Sequence, residues 1–190
     1  MIKKIKKILF LLQNKLFIKP LFSGVAAAIE HRCILESLNC KFVVDVGANK
    51  GQFALATRSY MPEARIVSFE PLDEPANIYE AIFSGDERVK LYRYAIGAKE
   101  EESVIHISKS EDSSSLLPIT EKQSTLYPGT NEVDTRIIKV KRLNNVLNND
   151  QVWQPALLKI DVQGFELSTL EGSVDLLDAF EYIYVECSFV

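Results

Sequence analysis

With 190 residues, 47% of them hydrophobic, seven prolines and eight glycines, the chain has the length and apolar content for one packed domain, and its composition excludes a fibrous or wholly disordered protein. The formal net charge of −4 hides an asymmetry. Residues 1–20 carry six lysines (Lys3, Lys4, Lys6, Lys7, Lys15 and Lys19) and no acid, leaving 16 basic against 26 acidic residues, a balance of −10, in the rest; that body disfavours a nucleic-acid partner, because a phosphate backbone rewards clustered positive charge.

In chain order, residues 1–38 read as a basic N-terminal helical segment and 39–190 as an α/β domain. The start, MIKKIKKILFLL, holds only five uninterrupted apolar residues, Ile8–Leu12, too few to span a bilayer. A secretory signal needs a longer apolar centre, although the small residues of Ser23–Ala28 leave that reading weakly open. Ile2, Ile5, Ile8, Leu9, Leu12 and Leu16 recur at helical spacing with lysines between them. Such a helix either packs on the domain with its lysines in water or lies on anionic lipid. The expectation is a cytoplasmic protein; packing on the domain is the favoured reading, and peripheral contact at the inner face of the membrane through residues 1–20 is the alternative.

Lys41–Val46 is a short β-branched run ending at a glycine loop, and reads as a buried strand. Gln52–Tyr60 follows as helix, stopped by Pro62. Arg65–Phe69 is the second strand, Asp73–Ser84 a helix with Gly85 just past its end, and Val89–Ile96 a third strand. Strand, helix, strand, helix, strand at this spacing argues for parallel βαβ units. Ser103–Ser108 and Thr135–Val140 alternate like an antiparallel hairpin, around a long Ser-, Thr-, Pro- and Gly-rich loop over 111–131. Leu157–Val162 resumes the parallel sheet, Gly164–Leu177 is helical with a break near Gly172, and Glu181–Phe189 is the final strand. Cys33, Cys40 and Cys187 are too few and scattered for a disulfide framework and suit a reducing compartment. No Cys-x-x-Cys pair exists and His31 and His106 stand alone, so no metal site is expected.

Three constellations carry chemistry. Gly47 and Gly51 flank a tight strand-to-helix turn at the carboxyl end of the first strand, where open α/β sheets bind nucleotides. The spacing Gly-x-x-x-Gly, with Asn49 between, departs from the dinucleotide pattern Gly-x-Gly-x-x-Gly; a nucleoside cofactor without phosphates, such as S-adenosylmethionine, does not need that anion cradle. Glu70 ends the second strand, where a carboxylate accepts hydrogen bonds from both ribose hydroxyls of an adenosine. Asp45, ending the first strand, orients the loop or meets a ligand ammonium. Lys159 and Asp161 point the same way at the exit of a mid-sheet strand, where unpartnered charge is costly and a site is more plausible than core. Glu166 falls at a helix start, where capping is the plain alternative.

The ordered set DVGANKGQF (45–53), FEP (69–71), AIG (95–97), KIDVQGFE (159–166) and the YVECSF stretch near the C-terminus resembles the FkbM family of methyltransferases over about residues 42–190. The resemblance implies a Rossmann-like class I methyltransferase fold, a mostly parallel sheet with flanking helices, and methyl transfer from S-adenosylmethionine to a hydroxyl of a sugar, glycolipid or related small-molecule or glycan acceptor. By the same match Asp45, Gly47, Asn49, Gly51, Glu70 and Asp161 line the cofactor. Asp161 and Glu166 are the candidate catalytic residues, Asp161 first as general base and His106 a distant third. Ser113–Leu116 is a weaker match to a Ser-Leu element of the family's central insertion. A class I sheet has seven strands and five are counted here, so the last strands are expected to be missing at the C-terminus. The open edge would favour a homo-oligomer. Two alternatives stand beside this reading: an NAD-dependent oxidoreductase on a related fold, disfavoured by the missing middle glycine, and an inactive truncated remnant.

Overall fold

Two short and mostly apolar runs, FVVDV and ALLKI, each holding one buried charge, pair side by side at the centre of a parallel sheet, where burial on both faces removes the polar alternation of a half-exposed strand. The computed structural model describes residues 11–108, 114–117 and 131–187. The strands are β1 (Phe42–Val46), β2 (Arg65–Phe69), β3 (Val89–Tyr92), β4 (Ala95–Ile96), β5 (Glu101–Ser108), β6 (Glu132–Lys141), β7 (Ala156–Ile160) and β8 (Tyr182–Val185). The α-helices are α1 (Lys15–Phe22), α2 (Arg32–Leu38), α3 (Gln52–Tyr60), α4 (Asp73–Ile82) and α5 (Glu166–Glu171). Short 3-10 segments include Ile29–His31 and Val174–Ala179.

The main sheet has five parallel strands in the order β3-β2-β1-β7-β8. The order reverses at β1, so the crevice over the carboxyl ends of β1, β2 and β7 is the topological switch point. Side chains alternate across the sheet. On one face Val43, Ile66 and Leu157 join Leu11, Phe17, Leu35 and Phe53 in one buried cluster. The described part of the N-terminal segment therefore packs into the same core as the sheet. On the other face Val44, Val46, Phe69, Leu158 and Ile160 meet Leu143, Leu176 and Phe180.

A second sheet of order β4-β6-β5 stands beside the first, with β5 antiparallel to β6 as the alternation predicts. The expected third strand, Val89–Ile96, is in fact two. Arg93 turns outward to pair with Asp73 at 3.0 Å and Glu80 at 2.7 Å, and beyond that bend Ala95 and Ile96 leave the main sheet to run parallel to β6. The C-terminal helix is likewise shorter than expected: α5 ends at Glu171, and the chain resumes as the 3-10 turn after Gly172. Among the described residues the last strand is Tyr182–Val185 and stops before Glu186, while positions 188 and 189 of the expected 181–189 lie outside the described residues. Residues 1–10 and most of the 111–131 loop lie outside the described residues.

The two sheets are stitched together at α5. Thr169 Oγ1 donates to the Ile96 carbonyl at 3.0 Å, and the Ala98 amide donates to Ser168 Oγ at 3.1 Å. Close approach there requires Gly172, because a Cβ would stand 2.0 Å from the Gly97 carbonyl oxygen. Gly172→Ala is expected to lower stability by about 2–3 kcal/mol, the cost of overpacking a fixed backbone contact. Urea unfolding checks this; a change under about 0.5 kcal/mol, the range of a neutral surface substitution, would show that the joint yields.

Candidate active site

The loop from β1 to α3 turns on three left-handed residues, Gly47 (φ 80°), Asn49 (φ 47°) and Gly51 (φ 90°). The two glycines serve different neighbours. A Cβ on Gly47 would stand 1.8 Å from the Asp161 carbonyl oxygen, so glycine lets the loops after β1 and β7 touch. A Cβ on Gly51 would meet the rings of Phe83 and Tyr79 at 2.8 and 2.9 Å, so glycine here seats α3 against α4. The amides of Gly47 and Ala48 both donate to the Phe69 carbonyl at 3.0 Å, which ties the loop to the end of β2.

Glu70 follows directly. Its carboxylate is buried and accepts from two backbone amides, Asn49 to Oε2 and Leu72 to Oε1, each at 2.9 Å. Burial pushes its pKa up from 4.5 to about 7; the two amides oppose the shift and the nearby Asp45 carboxylate adds to it. Each oxygen retains acceptor capacity beyond the one amide it receives.

Beneath the loop lies a buried ion pair. Asp45 is wholly buried, and the Lys159 ammonium stands 3.0 Å from its Oδ1 and 3.5 Å from Asp161 Oδ2, while donating to the Gly47 carbonyl at 3.3 Å. The Asp45 oxygens receive no aligned hydrogen bond, so the ammonium is what offsets their desolvation. Burial raises the Asp45 pKa, with Lys159 opposing. Burial also works against the Lys159 charge, but the two carboxylates outweigh it and hold the ammonium above its ordinary value.

These residues floor a cleft of about 610 Å³ over the sheet's carboxyl edge. Of the predicted site residues, Gly47, Asn49, Glu70 and Asp161 line it. Asp45 lies below the cleft behind Lys159, and Gly51 packs on Tyr79 and Phe83. Glu166 sits at the start of α5, where its Oε1 accepts from the Gly164 amide at 2.8 Å, while Asp161 Oδ1 accepts from Gln163 Nε2 at 2.8 Å. His106 pairs with Glu132 at 2.7 Å on the second sheet. Ser113 lies outside the described residues; Ser115 Oγ donates to the Gln163 carbonyl at 2.6 Å, and Leu116 lines the cleft.

The structure adds residues that the sequence did not point to. Gly24, Ala26, Ala28 and His31 bring the N-terminal segment to the cleft wall. The His31 ring, with Nδ1 2.9 Å from the Tyr184 hydroxyl, stands edge-on to Phe53 at 5.4 Å between centroids. Nothing local in the sequence marks His31, since its partner is 153 residues away.

A family model described as the methyltransferase FkbM domain matches residues 45–190. The chain belongs to that family. Among curated proteins it is similar to methyltransferase sdnD of Sordaria araneosa, with 28% identity over 69% of this chain and 60% of that protein. Among solved structures it is similar to the methyltransferase FkbM of Methylobacillus flagellatus KT, with a TM-score of 0.46 and 14% identity over 71% of this chain and 29% of that one. The chain thus spans less than two thirds of the length of either of these two relatives.

Two outcomes follow from the electrostatics of this FkbM-domain cleft. Lys159→Met, which strands Asp45, is expected to destabilise the fold by about 3 kcal/mol or more. Adding Asp45→Asn should recover much of that in a double-mutant cycle; additive losses would show that the pair is not coupled. For Glu70 the folded state holds its proton more tightly than the unfolded chain. Stability therefore falls as pH rises from about 4.5 to about 7, by up to about 3 kcal/mol from this group, and is level above. Denaturation midpoints for Glu70→Gln should lose that slope, and an unchanged slope would place the titration elsewhere.

Proposed function

We propose that the chain is an S-adenosylmethionine-dependent methyltransferase acting on a hydroxyl of a sugar, glycolipid or related metabolite. The observation that carries this reading is Glu70: a buried carboxylate, fixed by two backbone amides, with acceptor capacity left on both oxygens beside the cleft. That is the acceptor pair a ribose diol, whose two hydroxyls donate, needs. Membership of the FkbM family supports the choice of cofactor, and the absence of a middle glycine in the Gly47–Gly51 turn argues against a dinucleotide pyrophosphate.

The cofactor, when bound, supplies an electrophilic methyl group on a sulfonium sulfur. The chain's own residues then have separable tasks. Glu70 holds the ribose hydroxyls, and the backbone of Gly47–Asn49 presents a surface on which a ligand lies without side-chain obstruction. Lys159 keeps Asp161 at the mouth of β7, oriented further by Gln163. Asp161 faces the cleft and takes or orients the acceptor's hydroxyl proton; Glu166, occupied at the start of α5, is the second candidate. Ile105 and Leu116 add an apolar flank contributed by the second sheet and the segment beside it.

Calorimetric titration with S-adenosylhomocysteine and with NAD tests the reading. Binding of the former and not the latter is expected, with Glu70→Ala weakening it about tenfold to hundredfold, the range for hydrogen bonds to a charged group. Because the ribose hydroxyls donate to the ionised carboxylate, affinity should fall by up to about tenfold per unit as pH drops below about 7. NAD binding without S-adenosylhomocysteine binding would overturn the assignment, and an unchanged affinity in Glu70→Ala would remove Glu70 as the ribose ligand.

A further inference from the structure

The N-terminal helix α1 has two faces, and the domain uses only one. Phe17 and Pro20 are buried in the core cluster that also holds Leu11 and α3. Asn14, the residue capping α1, donates from Nδ2 to Ser59 Oγ at 2.8 Å and so fixes the helix to α3. The opposite face carries Lys15, Lys19 and Phe22, spaced four and three apart along one stripe, with Leu16 on its flank and Leu12 just ahead of the helix. Phe22 is 89% exposed and Leu12 and Leu16 are each 50% exposed. Large apolar side chains interleaved with lysines and no acid are a costly surface in water, yet they match the boundary between anionic headgroups and acyl chains.

We propose that this outward face of α1 is a docking surface for an anionic lipid bilayer. Charge complementarity selects that occupant. The first 20 residues hold six lysines and no acid, whereas the rest of the chain carries a balance of −10. A polyanion without an apolar phase would engage the lysines but leave Phe22 and Leu16 in water. No helix among the described residues is long and apolar enough to cross a membrane, so α1 lies along the surface. The segment lies outside the family match, which begins at residue 45. Two residues after Phe22 the chain reaches Gly24 on the cleft wall, and Ala26, Ala28 and His31 follow it there. A docked α1 therefore sets the cleft beside the lipid surface. Presentation of a lipid-linked hydroxyl acceptor to the cleft is the consequence, and only that consequence rests on the methyltransferase reading.

Cosedimentation of the full chain with vesicles tests the docking without cofactor or acceptor. Vesicles of 70% phosphatidylcholine and 30% phosphatidylglycerol, compared with pure phosphatidylcholine at about 0.1 M salt, give the needed contrast. Binding to the anionic vesicles alone is expected, weakening as salt rises. Lys15→Ala with Lys19→Ala should weaken it about twenty-five-fold, about fivefold for each lysine, and Phe22→Ser about tenfold. All three side chains are exposed, so thermal midpoints should stay at the wild-type value. Lys99→Ala with Lys139→Ala, exposed lysines elsewhere, should leave binding unchanged. Equal binding to neutral vesicles, no binding to either, or binding insensitive to the α1 substitutions would overturn the proposal. So would tighter capture by a single-stranded polynucleotide that is lost with the lysines but indifferent to Phe22.

Discussion

The cleft depends on one buried cation. The Lys159 ammonium lies between Asp45 at the end of β1 and Asp161 just beyond β7, with the Gly47 carbonyl as its third oxygen. Asp45 and Lys159 are register partners on adjacent strands, so the backbone ladder sets their encounter before any side chain moves. Removing the cation would leave a wholly buried carboxylate without compensation, which is far costlier than never having placed one there. The arrangement therefore sets the spacing of the two loops that shape the cleft floor. Gly47, whose missing Cβ lets the Asp161 carbonyl approach, is the steric counterpart of that electrostatic tie.

Glu70 is held by a different device. Two amides grip its carboxylate from opposite sides, one from the β1–α3 loop and one from the start of α4, so it is ordered before any ligand arrives. Its burial raises the pKa to about 7, so the charge state of this carboxylate changes around neutral pH. Preorganisation costs folding stability in the ionised form and favours ligands that donate hydrogen bonds to it.

Much of this was legible in the sequence, for identifiable reasons. β1 and β7 are buried on both faces, so they show as mostly apolar runs, and the charges Asp45 and Lys159 within them and Asp161 just past β7 mark where the sheet ends and the cleft begins. The resemblance to the FkbM family rested on the same stretches, and the family match covers them. The split of Val89–Ile96 was not legible, because each half reads as strand and alternation does not say which sheet a strand joins; the Arg93 ion pairs that turn the chain depend on α4. Gly51 carried the same signal as Gly47, yet one makes room for aromatic rings and the other for a backbone carbonyl. Local pattern cannot separate these. His31 and Tyr184 meet only because the Ile29–His31 turn packs against the face of the sheet from which Tyr184 of β8 projects, a tertiary fact with no local trace.

The N-terminal segment also takes on a clearer part. Of the two readings of this segment, packing on the domain is seen in α1, which buries Phe17 and Pro20 and turns Lys15 and Lys19 outward; contact with anionic lipid is the proposal made above. The central claim remains the cofactor site at the ends of β1, β2 and β7, and a crystal structure of the chain grown with S-adenosylhomocysteine tests it most directly. The account predicts density over the Gly47–Asn49 turn with both ribose hydroxyls on the Glu70 carboxylate. Density elsewhere on the molecule, or a ribose that leaves Glu70 untouched, would contradict it.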